Sequence, residues 1–329
     1  MAAAGPEVVT LGECLMAFVG SDPGPLAGTA SFLPYVAGAE ANVAVGLARL
    51  GRSVAFIGRV GDDGLGVRIA RSLRAEGVDV AGLAVDPDAP TGVMIRERPG
   101  LGPSEVVYAR TGSAGSRLGP DDVAAAAERG SFAVARWLHL TGITPALSSS
   151  CRAAQGKALD AARAAGATVS LDLNLRRRLW TETEARQTLA GLAARVDVVI
   201  ADTDEAAVVT GQPPDRTPAE LAAALLRLGP SLAVLKLGAA GSLALGPDGI
   251  PRSVPAVPVA VVVDPVGAGD AFCAGFIDAR LDGRDLSEAL ARANACGAAA
   301  VAALGDQTGL PSSAELARIR AVGGPDTLR

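Results

Sequence analysis

The segment "DPVGAGD", residues 264–270, places two acids and two glycines just before an apolar run with helical spacing. Gly267 and Gly269 allow the backbone to approach a ligand closely, because glycine adopts conformations that other residues avoid. Backbone N–H groups at the start of a helix bind anions, phosphate above all. The segment is therefore typical of a loop that holds a phosphate group, and we call it the anion loop.

Asp270, the last residue of the anion loop, has two alternative roles. An aspartate at a helix start commonly caps the helix, and an isolated Asp270 would be interpreted in that way. Beside a bound phosphoryl group a carboxylate is repelled, unless it accepts a proton from an attacking hydroxyl. The glycines shift the balance from a simple cap toward a base in phosphoryl transfer.

The elements around this loop alternate between short apolar strands and helices rich in alanine and leucine. The segments predicted as strands are "EVVTLGE", "SVAFIGRVG", "RWLHLTG", "TVSLDLN", "VDVVIAD" and "LAVLKLG". The valines at 261–263 are predicted to end a further strand directly before the anion loop. Alternation of this kind predicts an α/β fold with a mostly parallel sheet covered on both faces. Ligands in such sheets bind beyond the carboxyl ends of the strands.

Two segments, residues 14–37 and 91–112, interrupt this rhythm with strand-like patches and turn residues. The second predicts a hairpin in which "GVMIRER" turns through "PGLGPS" into "EVVYART". Together the two segments predict a small β-sheet projecting from the α/β body, either a lid over a site or a plain surface excursion. No linker divides the chain, so residues 1–329 are predicted to form one domain.

Composition excludes several classes of function. A net charge of −5 and an aromatic content of 3% argue against nucleic acid as a partner. No apolar run approaches the ~20 residues that cross a membrane, and the start lacks the pattern of a signal peptide. Four scattered cysteines fit a reducing compartment, which predicts a cytoplasmic location. The single histidine, His139, excludes a multi-histidine metal site, and its apolar surroundings favour a place in the core over a functional role.

Two long stretches resemble the signatures of one enzyme family. "DPVGAGDAFCAGFI" resembles the C-terminal signature of the ribokinase-like (pfkB) carbohydrate kinases, and residues 36–66, "VAGAEANVAVGLARLGRSVAFIGRVGDDGLG", resemble their N-terminal signature. The likeness extends from "VVTLGE" to "GDQTGLP", nearly the whole chain. It implies a ribokinase-like three-layer sandwich with a small β-sheet lid. The implied activity is ATP- and Mg²⁺-dependent phosphorylation of a primary hydroxyl of a sugar or sugar acid.

The resemblance also implies roles for the residues that match the family's motifs. Asp270 would deprotonate the acceptor hydroxyl, and the N–H groups of Gly267, Ala268 and Gly269 would form an anion hole for the transferring phosphoryl group. The residues on the nucleotide side would be Lys236, Gly238, Gly241 and Asn294. Glu205 would organise Mg²⁺ through water, with Asp202 standing where the family usually has Asn. Asp264 matches a position whose backbone region supports a monovalent cation, such as K⁺, in many members of the family.

Within the family, the stretches "YARTGSAGSRL", "HLTGITPALS" and "DLNLRRRLW" are similar to kinases of 2-keto-3-deoxygluconate, a sugar acid. Arg110 and Arg176 are the candidate partners for its carboxylate, with a solvated surface charge as the alternative for Arg176. Tyr108, Gly38 and Asn42 would contact the sugar. The alternatives are a neutral acceptor, such as fructose, ribose or a nucleoside, and a non-catalytic sugar-binding relative. The resemblance further suggests a homodimer formed through the two lids.

Overall fold

The computed structural model describes residues 5–98 and 105–321, and thirteen strands lie in these ranges. In chain order they are β1 (Val8–Leu11), β2 (Leu15–Pro23), β3 (Phe32–Ala37), β4 (Val54–Gly61), β5 (Leu83–Asp86), β6 (Val93–Arg98), β7 (Val106–Ala109), β8 (Trp137–Thr141), β9 (Thr168–Asp172), β10 (Val198–Asp202), β11 (Leu232–Lys236), β12 (Ser242–Leu245) and β13 (Arg252–Val254). Nine of them form a central sheet in the order β13-β12-β11-β10-β9-β8-β1-β4-β5. The neighbours from β11 to β5 are parallel, whereas β12 and β13 are antiparallel at one edge.

Helices cover both faces of this sheet. In the described ranges they are α1 (Ala39–Arg49), α2 (Gly64–Ala75), α3 (Pro120–Glu128), α4 (Thr144–Leu147), α5 (Ser149–Ala164), α6 (Glu182–Ala193), α7 (Thr203–Thr210), α8 (Pro218–Leu226), α9 (Ala268–Leu281), α10 (Leu286–Ala300) and α11 (Ser313–Ala321). One apolar core lies between the sheet and α1, α9 and α10, and a second lies between the sheet and α5, α6 and α8. The predicted three-layer α/β architecture is confirmed.

The central strands are buried because they are covered on both faces, as their near-continuous apolar sequences predict. Every residue of β8 is buried, including His139, which lies in the core as predicted. Nδ1 of His139 lies 2.9 Å from Ser170 Oγ, so the buried ring has a hydrogen-bond partner. Burial lowers the pKa of His139 to about 4, although Asp172 acts in the opposite direction.

The two segments outside the alternating pattern form a separate four-stranded sheet, the lid sheet, in the order β3-β2-β6-β7. Strands β6 and β7 pair antiparallel, as the hairpin prediction requires. The predicted turn "PGLGPS", residues 99–104, lies outside the described residues. The small β-sheet beside the α/β body is therefore confirmed.

The prediction of a strand at 261–263 is wrong. The structure places these valines in an irregular segment, where the N–H of Val263 donates to the carbonyl of Val301 at 2.8 Å. Val261 and Val262 are 67% and 61% exposed. Strands β5, β12 and β13, which the sequence interpretation did not include, occupy the sheet edges instead.

The sheet gathers charged residues at the carboxyl ends of three neighbouring strands. Asp172 ends β9, Asp202 ends β10 and Lys236 ends β11. Because parallel strands end at the same edge, these side chains meet there, beside the anion loop. No helix within the described residues is long and apolar enough to cross a membrane.

Candidate active site

Two cavities meet at the anion loop. The polar cavity, about 430 Å³, is bordered by the lid sheet, the start of α1 and the carboxyl ends of the strands. The apolar cavity, about 620 Å³, lies between the loops after β11 and β13 and the helices α9 and α10. Lys236, Gly238, Pro265 and Gly269 line both. The loop therefore forms the partition between two binding spaces, which suits the transfer of a group from one to the other.

The anion loop is held in the conformation that its glycines predict. Gly267 is the N-cap of α9 with φ of 84°, in the left-handed region that favours glycine. A Cβ atom built on Gly267 would lie 2.5 Å from the carbonyl oxygen of Asp306, so no other residue fits. Since α9 begins at Ala268, the first N–H groups, including that of Gly269, lack partners within the helix. The N–H of Ala268 has only a long contact of 3.4 Å with the carbonyl of Pro265, so the start of the helix can receive an anion.

Asp270 lies in the first turn of α9, beyond the cap position, and lines the polar cavity. Its Oδ2 accepts a hydrogen bond of 2.8 Å from Asn42 Nδ2. Asn42 in turn accepts one of 3.0 Å from Gln307 Nε2. The capping alternative is therefore wrong: Gly267 occupies the N-cap, and Asn42 holds the carboxylate of Asp270 toward the cavity.

The surroundings of Asp270 adjust its proton affinity to the neutral range. Burial raises the pKa of Asp270 to about 7, the Asn42 hydrogen bond lowers it, and Asp172 raises it. The guanidinium of Arg176 lowers the pKa, and Asp306 raises it. A base that titrates near neutral pH combines ionisation with useful basicity under physiological conditions.

The polar cavity that Asp270 lines also carries residues predicted to meet the substrate. Gly38, the N-cap of α1, has φ of 138°, and a Cβ atom there would lie 2.3 Å from the carbonyl oxygen of Glu13. Arg110 is ion-paired with the buried Glu13, and its guanidinium lies 5.1 Å from the ring centroid of Tyr108. All of these residues line the polar cavity. Arg110 is thus fixed in place, with its charge already offset by a carboxylate.

Arg176 differs from Arg110 in having no ion-pair partner within 4 Å among the described residues. It is exposed, lines the polar cavity and acts on the pKa of Asp270. Asn174, two residues before Arg176, has φ of 36°, in the left-handed region that Asn tolerates. Arg178, two residues on, donates to the carbonyl of Val106 in β7 at 2.8 Å, so the loop is tied to the lid sheet.

Lys236, predicted on the nucleotide side, forms an ion pair with Asp172. Its Nζ lies 2.8 Å from both carboxylate oxygens of the almost fully buried Asp172. Burial lowers the pKa of Lys236, but the carboxylates of Asp172 and Glu205 outweigh this and raise it above the ordinary value, so the ammonium stays charged. A Cβ atom built on Gly269 would lie 3.4 Å from Nζ, which places the positive charge beside the anion loop.

The apolar cavity contains the other residues predicted for the nucleotide. Gly238 and Gly241 flank the turn after β11, and Gly241 has φ of 101°. Asn294 of α10 donates to the carbonyls of Val254 and Pro255 at 3.1 and 3.0 Å, so it holds the segment after β13 against the helix. The exposed Val262 also lines this cavity. The apolar lining suits a flat heterocyclic base.

Glu205 and Asp202 form the start of α7 at the edge of the polar cavity. Asp202 caps the helix by accepting from the N–H of Glu205, and Glu205 accepts from the N–H groups of Asp202 and Leu175 at 2.9 and 2.8 Å. Burial raises the pKa of Glu205 to about 7. No group of three metal-ligating side chains occurs in the described residues. These two carboxylates fit a Mg²⁺ ion that is held mainly by phosphates and water, the mode this ion prefers.

Asp264, predicted at a monovalent-cation position, is instead paired with an arginine. Arg96 of β6 contacts it through Nη2 to Oδ2 at 2.5 Å and Nη1 to Oδ1 at 3.4 Å. Asp264 is fully buried, and the side chain of Arg96 is 2% exposed. A guanidinium thus occupies the oxygens of the Asp264 carboxylate, and a monovalent cation held by the backbone of this region stays a prediction.

A family model for pfkB family carbohydrate kinases matches residues 6–313. The chain belongs to the pfkB family of carbohydrate kinases. Two relatives are 2-dehydro-3-deoxygluconokinases, from Thermoproteus tenax (40% identical, 94% of this chain and 92% of the relative) and Bacillus subtilis (37% identical, 94% of each). Fructokinases follow, for example that of Klebsiella pneumoniae (35% identical, 88% of this chain and 94% of the relative). The predicted enzyme class, an ATP-dependent sugar kinase, is confirmed.

Solved structures of pfkB kinases have the same fold. The 2-dehydro-3-deoxygluconokinase of Thermotoga maritima has a TM-score of 0.85 at 29% identity, covering 97% of this chain and 99% of that one. An Escherichia coli protein assigned as ribokinase II, solved with ATP and Mg²⁺, has a TM-score of 0.86 at 28% identity over 96% and 99%. A Vibrio cholerae fructokinase variant with fructose, ADP and a potassium ion has a TM-score of 0.83 at 30% identity over 96% and 99%.

The sequence interpretation missed several residues that shape this site. Asp172 is the last residue of the apolar strand β9, and Glu13 lies two residues beyond the end of β1. A charge at the carboxyl end of a strand is a signal that could have identified both. Asp306 belongs to "GDQTGLP", within the span of the family likeness. Arg96 gave no comparable signal, since it is one arginine among many in the chain.

Proposed function

We propose that the protein transfers the γ-phosphoryl group of ATP to a primary hydroxyl of a sugar acid, most specifically 2-keto-3-deoxygluconate. The observation that carries this proposal is Arg176, a cation without an ion-pair partner among the described residues, in the same cavity as Asp270. A carboxylate bound there would form charge-assisted hydrogen bonds with the guanidinium. The relatives named 2-dehydro-3-deoxygluconokinase, at 37–40% identity, support the same substrate.

The chain's own residues account for each step of the transfer. With the sugar in the polar cavity, Asp270 accepts the hydroxyl proton as the oxygen attacks the γ-phosphorus and the bond to ADP breaks. The N–H groups of Gly267, Ala268 and Gly269 stabilise the charge on the transferring group, with Lys236 beside them. Glu205 would hold Mg²⁺ through water, and the ion would supply neutralisation of the phosphate charge. Asn42 holds the base toward the acceptor.

The roles of the remaining predicted ligands follow from where they lie. Tyr108 and Gly38 line the polar cavity, where we assign them to the sugar. Arg110, fixed by Glu13, is assigned to shaping this wall, with Arg176 as the principal carboxylate partner. Gly238, Gly241 and Asn294 are assigned to ATP in the apolar cavity.

The test is ATP consumption measured over a panel of acceptors. We expect the highest specificity constant with 2-keto-3-deoxygluconate, and a higher value with fructose, ribose or a nucleoside would contradict the proposed acid substrate. Arg176→Ala should lower the specificity constant for the sugar acid by roughly 10- to 100-fold, as expected for a lost hydrogen bond to a charged group. Arg177→Ala is the matched control, because Arg177 points to Glu182 and should leave the constant unchanged.

We also propose that the protein acts in the cytoplasm as a homodimer joined through its lid sheets. All four cysteines are buried, and Cys14, Cys151 and Cys273 form no disulfide among the described residues, which is consistent with a reducing compartment. The edge strands of the lid sheet carry the exposed side chains of Phe32, Leu33, Val107 and Tyr108. Exposed edges with apolar side chains favour pairing with a second sheet.

A further inference from the structure

Arg96 is the largest fully buried side chain of the described residues. It lies on β6, in the lid sheet, but its guanidinium reaches the base of the anion loop. There it contacts Asp264 at 2.5 Å and lies 3.5 Å from Oδ1 of Asp306. A buried arginine is rare unless it is paired, and this one connects the lid sheet to the loop that would hold the phosphoryl group.

The contacts leave Asp264 no free oxygen position. Its Oδ1 accepts from Arg96 Nη1 at 3.4 Å and from the N–H of Val266 at 3.2 Å. Its Oδ2 accepts from Arg96 Nη2 at 2.5 Å and from the N–H of Gly305 at 3.0 Å. A carboxylate offers about four acceptor positions, so all of them are used. A metal ion would have to displace the guanidinium to bind this carboxylate.

These contacts also fix the loop itself. The N–H of Val266 belongs to the anion loop, and Gly305 adjoins Asp306, whose carbonyl packs against Gly267. The charge of Asp264 therefore needs a permanent counter-charge to keep both backbone segments in place. Removing a partner from a buried ion pair leaves an uncompensated charge, which is strongly destabilising.

We propose that Arg96 is a positioning residue whose guanidinium supplies, from within the chain, the positive charge at Asp264 that a monovalent cation would otherwise supply. Phosphoryl transfer by this protein is then independent of K⁺. The inference rests on the proposed kinase function.

The first test measures two properties of the unaltered protein in K⁺, Na⁺ and Tris chlorides at equal ionic strength. We expect the Tm to be the same in the three salts within experimental error. The specificity constant should differ between the salts by no more than about twofold. A K⁺-specific rise in Tm of several degrees, or a tenfold activation by K⁺ alone, would overturn the inference. The Tm needs no substrate, so this result is distinguishable from a failure of the proposed substrate.

The second test uses Arg96→Met, which keeps most of the side-chain volume and removes the charge. We expect a lower Tm, a loss of activity, and recovery of both by K⁺, because the unpaired Asp264 then attracts the ion. Arg96→Lys should keep a higher Tm than Arg96→Met without K⁺. The control is Arg98→Met on the same strand, whose guanidinium donates to the carbonyl of Ser21, and its Tm should not respond to K⁺. An Arg96→Met protein that is fully active and equally stable in every salt contradicts the inference.

Discussion

At the scale of single residues, the site works through pairs in which one member sets the state of the other. Asn42 and Asp270 lie 228 positions apart in the chain and meet at 2.8 Å. Both residues were predicted from the sequence as site residues, but the hydrogen bond between them was not. The role predicted for Asn42 was contact with the sugar, which gave no reason to expect a contact with Asp270. Arg96 could not be predicted at all, since arginines are usually exposed and this chain is rich in them.

The first prediction concerns the pH dependence of the specificity constant. Because Asp270 must be ionised to accept a proton and its pKa is about 7, activity should fall below neutral pH by about tenfold per unit. Arg176 lowers the pKa of Asp270, so Arg176→Ala should move this acid limb to higher pH. A pH–rate profile in which Arg177→Ala shifts the limb as much as Arg176→Ala would contradict the assignment.

The second prediction is that Asp270→Asn is inactive but more stable. A general base contributes about 10²–10⁴-fold, and turnover within tenfold of the parent would show that Asp270 is not the base. The folded-state pKa of about 7 lies above the ordinary 3.8, so unfolding releases a proton between these values. The stability contributed by Asp270 is complete below pH 3.8 and is lost as the pH rises to about 7.

In Asp270→Asn the side chain is uncharged at every pH, so the stability that Asp270 loses as the pH rises is not lost in the variant. The gain for Asp270→Asn should therefore be larger at pH 8 than at pH 5.5, on the order of 1–2 kcal/mol once water near the partly buried carboxyl is allowed for. Thermal unfolding at the two pH values measures it. An equal change in Tm at both would argue against a raised pKa in the folded protein.

At the scale of elements, the apolar periodicity of the sequence predicted the parallel strands well, because strands covered on both faces leave a strong pattern. The valines at 261–263 show where such a pattern misleads. None of the three pairs in the sheet, and Val262 instead lines the apolar cavity. The strands β12 and β13 at one end of the sheet, with four and three residues, were too brief to leave a clear pattern.

The third prediction tests the conformation of the anion loop. Gly267→Ala should lower kcat about tenfold or more, because alanine is strained at φ of 84° and its Cβ would press on the carbonyl of Asp306. Gly283→Ala is the matched control, with a similar φ of 73° but open space around the new Cβ. It should cost about 1 kcal/mol of stability and leave kcat unchanged. Equal effects on kcat would show that the clash with Asp306 is unimportant.

At the scale of the whole molecule, the active site depends on parts of the chain that are distant in sequence. The lid sheet contributes Tyr108 from β7 and Arg96 from β6, and α1 and α9 contribute Asn42 and Asp270. The two sequence signatures indicated both ends of the site, but no periodicity shows how a small sheet docks on a large one. Arg96 and Arg178 fasten the lid sheet to the body, and neither contact could be derived from the alternation of strands and helices.

The fourth prediction is that the lid sheets join two protomers. Phe32 and Leu33 begin the edge strand β3 and are 36% and 41% exposed, an unusual place for large apolar side chains in a monomer. We expect light scattering to give twice the chain mass of 32.8 kDa, and Phe32→Asp combined with Leu33→Lys to return the single-chain mass. Ile250→Asp is the control, because Ile250 is 59% exposed but lies outside the lid sheet, in the connection between β12 and β13 of the central sheet. Because β3 lies two strands from β6, the dissociated variant should keep the Arg96 contact and a Tm independent of K⁺. A monomeric parent protein at micromolar concentration would contradict the proposed dimer. It would leave the proposed role of Arg96 unaffected.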